Sequence, residues 1–239
     1  MTILQLDDII FKNIIRNVVN EMNKEWSEMN KLMQKQIKKR ETFFDGINTL
    51  LELRSNLMRT LISFKNELSA DDFSAMPFMN ADGYHSKTIA YSLWHIFRIE
   101  DIVAHTLING DEQVFFSGKY KERINSPTVT TGNELVKNEI SEFSRQLDIN
   151  ELYTYIFEVK DSTEKILREM PYERLKEKIS EERREILQNL NVVSIDVNAV
   201  WLIDYWCGKD IRGLIQMPFS RHWIMHTEAS LRIANKMHK

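Results

Sequence analysis

The chain contains little that breaks a helix and almost nothing that cross-links one. Its 239 residues include seven glycines, four prolines and one cysteine. A single thiol, Cys207, excludes both a disulfide and a cysteine-based zinc cluster within one chain. No stretch approaches the ~18 uninterrupted apolar residues that a membrane helix needs, so no membrane partner is expected. A field of one charge sign is missing as well: 32 Lys and Arg are interspersed with 35 Asp and Glu, for a formal net charge of −3. That excludes the broad basic surface through which proteins hold nucleic acid regardless of its sequence. The first residues, "MTILQLDDIIFKNIIRNVVNEM", place acids at positions 7 and 8 and lack the basic-then-apolar layout of a secretory signal. A cytoplasmic location is the resulting expectation.

What is present is enough apolar material, 43% of the residues, to build a packed core. The length suits one large domain, taken here as residues 1–239. Between the few Gly and Pro, the strong helix formers Glu, Lys, Leu, Met, Arg and Gln dominate, and no alternating strand pattern appears. The expected fold class is therefore all-α.

A first helix is expected from about Asp7 to Arg40. Its polar stretch "EMNKEWSEMNKLMQKQIKKR" would suit a surface, or a partner such as a second copy of the chain in a homodimer. A second covers about Glu41 to Leu68, where Ile47, Leu50, Leu51, Leu57, Leu61 and Phe64 recur at spacings near three and four. After the loop around Pro77 and Gly83, a third helix runs from about Ser86 to Ile108, closed by Asn109 and Gly110. Thr131 or Asn133 is a candidate cap for a short helix over "ELVKNEISEFSRQL". A long helix then follows Asp148 and ends before Pro171. "YERLKEKISEERREILQNL" reads as a charged, solvent-facing helix and "SIDVNAVWLIDYW" as a short apolar one stopping near Gly208. Pro218 is expected at the entry of a final helix, roughly Pro218 to Met237. Four of these helices are long enough for an antiparallel four-helix bundle with extra short helices. Residues 41–239 would form the bundle and residues 1–40 an N-terminal helical extension.

Histidines carry the chemical signal. His222 and His226, in "FSRHWIMHTEASLRI", are four residues apart, so a helix sets their Cβ atoms about 5–6 Å from each other on one face. That face continues through Ala229 and Ile233, whereas Glu228, Arg232 and Asn235 fall elsewhere, so both imidazoles should point inward. On the third helix His95 shares a face with Thr88, Ile99, Ile102 and Thr106 and should also point inward. His105 falls with Arg98 and Asp101 on the polar side and is expected at the surface. Three inward histidines on two helices offer a facial nitrogen set of the kind a catalytic zinc uses while keeping a fourth position open; hydrogen-bonded core histidines are the alternative that the pattern alone leaves open. Nickel, iron or cobalt accept the same ligands. The absence of Glu between His222 and His226 disfavours the HExxH metalloprotease pattern.

At these residues the sequence resembles the DinB/YfiT-like superfamily of metal-binding four-helix-bundle proteins. Two segments carry the resemblance, "KTIAYSLWHIFRIEDIVAHTLI" and "WCGKDIRGLIQMPFSRHWIMHTEASLRI", with "DINELYTYIFEVKDSTEKILREM" similar to the family's third bundle helix. The resemblance covers most of Glu41 to Lys239. It implies one ligand from the second bundle helix and an HxxxH pair from the fourth, which maps onto His95, His222 and His226. It also implies a divalent metal cofactor (zinc, nickel or iron) and, in some relatives, transfer of a low-molecular-weight thiol to a small-molecule substrate. Hydrolysis of a small substrate and a non-catalytic metal-binding or interaction role are the alternatives, because fold and ligands are shared across different chemistries.

Around this centre, Arg98 and Arg221 adjoin the ligand segments and are expected at the surface. Glu100 and Glu228 would reach ligand histidines only across helices, and His85 is expected in a solvated loop. Cys207 reads as buried packing rather than a nucleophile. Trp94, Trp201, Trp206 and Trp223 read as core.

Overall fold

The computed structural model describes residues 21–237, and the part of the expected first helix over 1–20 lies outside them. Helix α1 (21–36) ends in a turn and a short 3₁₀ segment, Arg40–Thr42, before α2 (Phe43–Glu67). Two side-chain contacts fix α1 antiparallel along α2: the Thr49 hydroxyl donates to the Gln36 side chain at 2.8 Å, and Asn56 lies 3.5 Å from the Met29 sulfur. Gly46 permits the tight return, since a Cβ there would stand 2.5 Å from the Ile37 side chain. Trp26, Met33 and Ile37 are buried against the chain's own core, so the apolar side of this otherwise polar helix is occupied from within.

After the short α3 (Ala70–Ser74), helix α4 (Ile89–Asp101) starts on the Thr88 side chain, which accepts from the Tyr91 N–H. It continues as a π-helical stretch, Ile102–Asn109, that stops at Gly110 with φ 78°. That is the expected stop; the left-handed conformation suits glycine, and a Cβ would also overlap the Arg183 guanidinium. Two short helices follow, α5 (Val114–Ser117) and α6 (Tyr120–Arg123), then α7 (Asn138–Gln146). Helix α7 begins well after Thr131 and Asn133, which therefore cap nothing. The Asp148 side chain caps α8 (Ile149–Glu169) by accepting from the N–H groups of Asn150 and Glu151.

Two further expectations are corrected. The charged helix over 172–190 is split into a 3₁₀ turn (Tyr172–Lys176) and α9 (Glu181–Asn189); between them Lys178 makes an isolated bridge to Asp210, and Ser180 caps a fresh start. Pro218 does not begin the last helix. After α10 (Trp201–Cys207), helix α11 (Ile211–Gln216) is capped by Asp210 and runs through a π-helical segment, Met217–Arg221, into α12 (His222–Met237). Proline has no N–H to give an α-helical bond and its ring crowds the carbonyl four residues back. The wider π turn is where this chain places it.

Among the described residues every regular element is helical. Helix α4 packs on α8 and α12, and α2 packs on the same two helices. Every residue of α4 is buried. One apolar core gathers Trp26, Leu57, Trp94, Tyr153 and Trp223; a second gathers Met33, Ile47, Val103, Leu167 and Phe219.

Candidate metal centre

Helices α4 and α12 each deliver what the phase of their sequence predicts. His95, His222 and His226 are all buried, and one nitrogen from each lies within 4.8 Å of the others. The imidazole centroids are 4.9, 4.9 and 4.6 Å apart. Two Zn–N bonds laid end to end span about 4.2 Å, so three donors at this separation close on one ion with small side-chain adjustment.

Charge supports the same reading. Burial pushes the pKa of His95 from 6.5 down to about 4, and the Thr131 hydrogen bond only partly opposes this. Burial and the neighbouring histidines hold His222 and His226 well below their ordinary value. All three imidazoles are therefore neutral at pH 7, the form that ligates metals. The Nδ1–H of His95 donates to the Thr131 carbonyl at 2.7 Å, which fixes its tautomer and leaves Nε2 with its lone pair. The Nδ1 of His222 is buried without a hydrogen-bond partner among the described residues, which is costly unless a ligand uses the site.

The loop over 128–134 supports the cluster from one side. Besides Thr131, it offers the Gly132 carbonyl to the Tyr91 hydroxyl at 3.0 Å, and the Tyr91 ring stacks on His95 with centroids 5.3 Å apart. On the other side, Trp223, next to His222, donates its indole N–H to Glu100 at 2.7 Å. Arg54 holds both oxygens of Glu100 at 2.7 and 2.8 Å, lies 4.3 Å over the Trp223 ring and also reaches Glu164 and the Phe219 carbonyl. Glu100 thus anchors the Trp223 side chain next to His222, and among the described residues no hydrogen bond joins it to a histidine. Arg54 goes unread in the sequence, although its charge interrupts the Leu50, Leu57, Leu61 stripe of α2. The role of Thr131 belongs to a backbone carbonyl in a loop, and no sequence pattern signals it.

No known family model matches the chain, and no curated protein matches it. The site's reading therefore rests on its own geometry.

Several expectations around it change. His105, Arg98 and Asp101 are buried, not superficial; α4 is enclosed on all sides, so its polar face needs internal partners. Asp101 accepts from the N–H groups of Val114 and Phe115 and from the Tyr155 hydroxyl, each at 2.9 Å. Arg98 donates to the Val129 carbonyl at 3.0 Å and lies over the Phe115 ring. His105 does not pair with Asp101. Its Nδ1 meets Asp111 at 2.7 Å and its Nε2 meets the Ser162 hydroxyl at 2.9 Å. That order, Ser–His–Asp, is the order of a nucleophile, base and orienting acid. Ser162 sits in the middle of α8, however, where backbone N–H groups are spent on the helix and cannot form an oxyanion hole. The trio is a structural bridge between α8 and the end of the α4 stretch.

His85 is not part of the histidine cluster; it lies in a 3₁₀ turn within the influence of Arg232. Arg221 is exposed, as expected, and Glu228 is half-buried, which raises its pKa. Cys207 is half-buried, not fully buried, and desolvation raises its thiol's pKa, so it is not an activated nucleophile. Trp94, Trp206 and Trp223 are core, but Trp201 is 49% exposed.

Proposed function

We propose that this protein is a metal-dependent enzyme of the DinB/YfiT-like type, a four-helix bundle in which His95, His222 and His226 hold one divalent ion and a small thiol is transferred to an electrophile. One observation carries the reading: three buried, neutral imidazoles from two helices converge, and among the described residues no Cys, Asp or Glu joins them to complete a closed set. Structural zinc sites are filled by four protein ligands, whereas catalytic ones keep a position free. Held by neutral ligands, the ion would keep its full positive charge and favour a small thiol as its thiolate at neutral pH.

The chain's own residues do the rest. Thr131 and Tyr91 orient the His95 ring, and the Arg54–Glu100 pair anchors the Trp223 side chain next to His222. His95, His222 and His226 are each at most 7% exposed, and the scarcity of water around them strengthens every electrostatic contact inside. The test follows conjugation of 2-mercaptoethanol and of cysteine to 1-chloro-2,4-dinitrobenzene by the zinc- or nickel-loaded protein. Conjugation above the metal-only blank, lost in His226→Ala, is the expected result. Rates equal to the blank with both thiols and both metals would overturn the transferase reading.

A further inference from the structure

Among the described residues, Lys87 is a cation next to this cluster without an acid of its own. It lies just before the cap of α4, one helical turn from Tyr91 and two from His95. Its ammonium sits 4.9 Å from the Tyr91 ring centroid, and that ring stacks on His95 at 5.3 Å. The Tyr91 ring thus contacts both the Lys87 ammonium and a proposed metal ligand. No ion pair or hydrogen bond to a carboxylate engages Lys87 among the described residues, and desolvation alone perturbs its own ionisation. Glu134 acts on Tyr91 from the supporting loop; the Thr130 hydroxyl donates to one of its oxygens, and the other is buried without a hydrogen-bond partner among the described residues. A partly buried ammonium without a counter-ion carries a desolvation cost that an anionic ligand would offset.

Resting on the metal reading above, we infer that Lys87 is a specificity-determining residue that selects small ligands carrying a carboxylate a few bonds from the metal-binding atom. The carboxylate pairs with the Lys87 ammonium along the Tyr91 edge while the donor atom takes the open position among His95, His222 and His226. A neutral thiol of the same size makes only the second contact.

The experiment titrates the cobalt-loaded protein with mercaptoacetate and with 2-mercaptoethanol and follows the visible cobalt spectrum. Wild type should bind mercaptoacetate about tenfold or more tightly than 2-mercaptoethanol, the effect of one charge-assisted hydrogen bond. Lys87→Met should erase that preference while retaining one cobalt per chain, and Lys87→Arg should keep most of it. If Lys87→Met binds cobalt normally and still prefers mercaptoacetate, the Lys87 assignment is overturned and the metal site stands. If wild type takes up no stoichiometric cobalt, the metal reading fails and this inference falls with it. Lys87→Gln serves as the neutral variant should Lys87→Met fold poorly.

Discussion

The α4 stretch buries two histidines ten residues apart and uses them in opposite ways. At the His105 end both ring nitrogens are spoken for, by Asp111 and Ser162, and the neighbouring Asp101 accepts from two backbone N–H groups and a tyrosine. At the His95 end one nitrogen is fixed by Thr131 and the other turns toward two more imidazoles. Burial is the same at both ends. What separates them is satisfaction: a closed polar network contributes stability, whereas three converging neutral imidazoles could hold a metal ion.

The sharpest way to break the comparison is at the charge between the two ends. Glu100→Gln leaves the buried Arg54 guanidinium without its bidentate partner, and removing one partner of a buried pair costs about 3–5 kcal/mol. Urea unfolding should register that loss, and a loss below about 1 kcal/mol would show that Glu164 suffices.

Next in size is the pH response of the metal-free protein. The folded-state pKa of His95 is about 4 against an ordinary 6.5. Above pH 6.5 both folded and unfolded chains carry it neutral, so it adds nothing. As pH falls from 6.5 to about 4 the unfolded chain takes up a proton that the folded chain refuses, and stability drops by about 3 kcal/mol on account of His95 alone. His222 and His226 act with the same sign. Stability followed by denaturant midpoint across that window should fall steeply in wild type and less so in His95→Gln; equal slopes would contradict the assigned shift.

The smallest effect is the most diagnostic of difference. His105→Gln should cost about 1–3 kcal/mol for the buried groups it leaves unpaired and should not change metal uptake. A His105→Gln variant that loses metal would merge the two sites into one.

The contrast between the two histidines is also where the sequence was read unevenly. The phase of α12 placed His222 and His226 with Ala229 and Ile233, and all four are buried together. His95 was found the same way. The same logic misplaced His105, Arg98 and Asp101, because a helical phase says which residues share a face and not whether that face meets water. Helix α4 is covered on every side, by α8 and α12 among others, and enclosure by distant elements is invisible to local periodicity. Pro218 misled for a related reason: proline marks where an α-helix cannot continue, but the chain here widens into a π turn and goes on. The loop that presents the Thr131 carbonyl has neither periodicity nor a telling side chain, so the partner that orients His95 had no signature at all.

The central claim is that three histidines make one open metal site, and the metal content of the purified protein tests it most directly. Protein prepared without chelator and analysed by plasma mass spectrometry should carry one divalent transition-metal ion per chain, and His95→Ala and His226→Ala should each carry almost none while His105→Gln keeps its full complement. Wild type without stoichiometric metal, or undiminished metal in both ligand variants, would contradict the account.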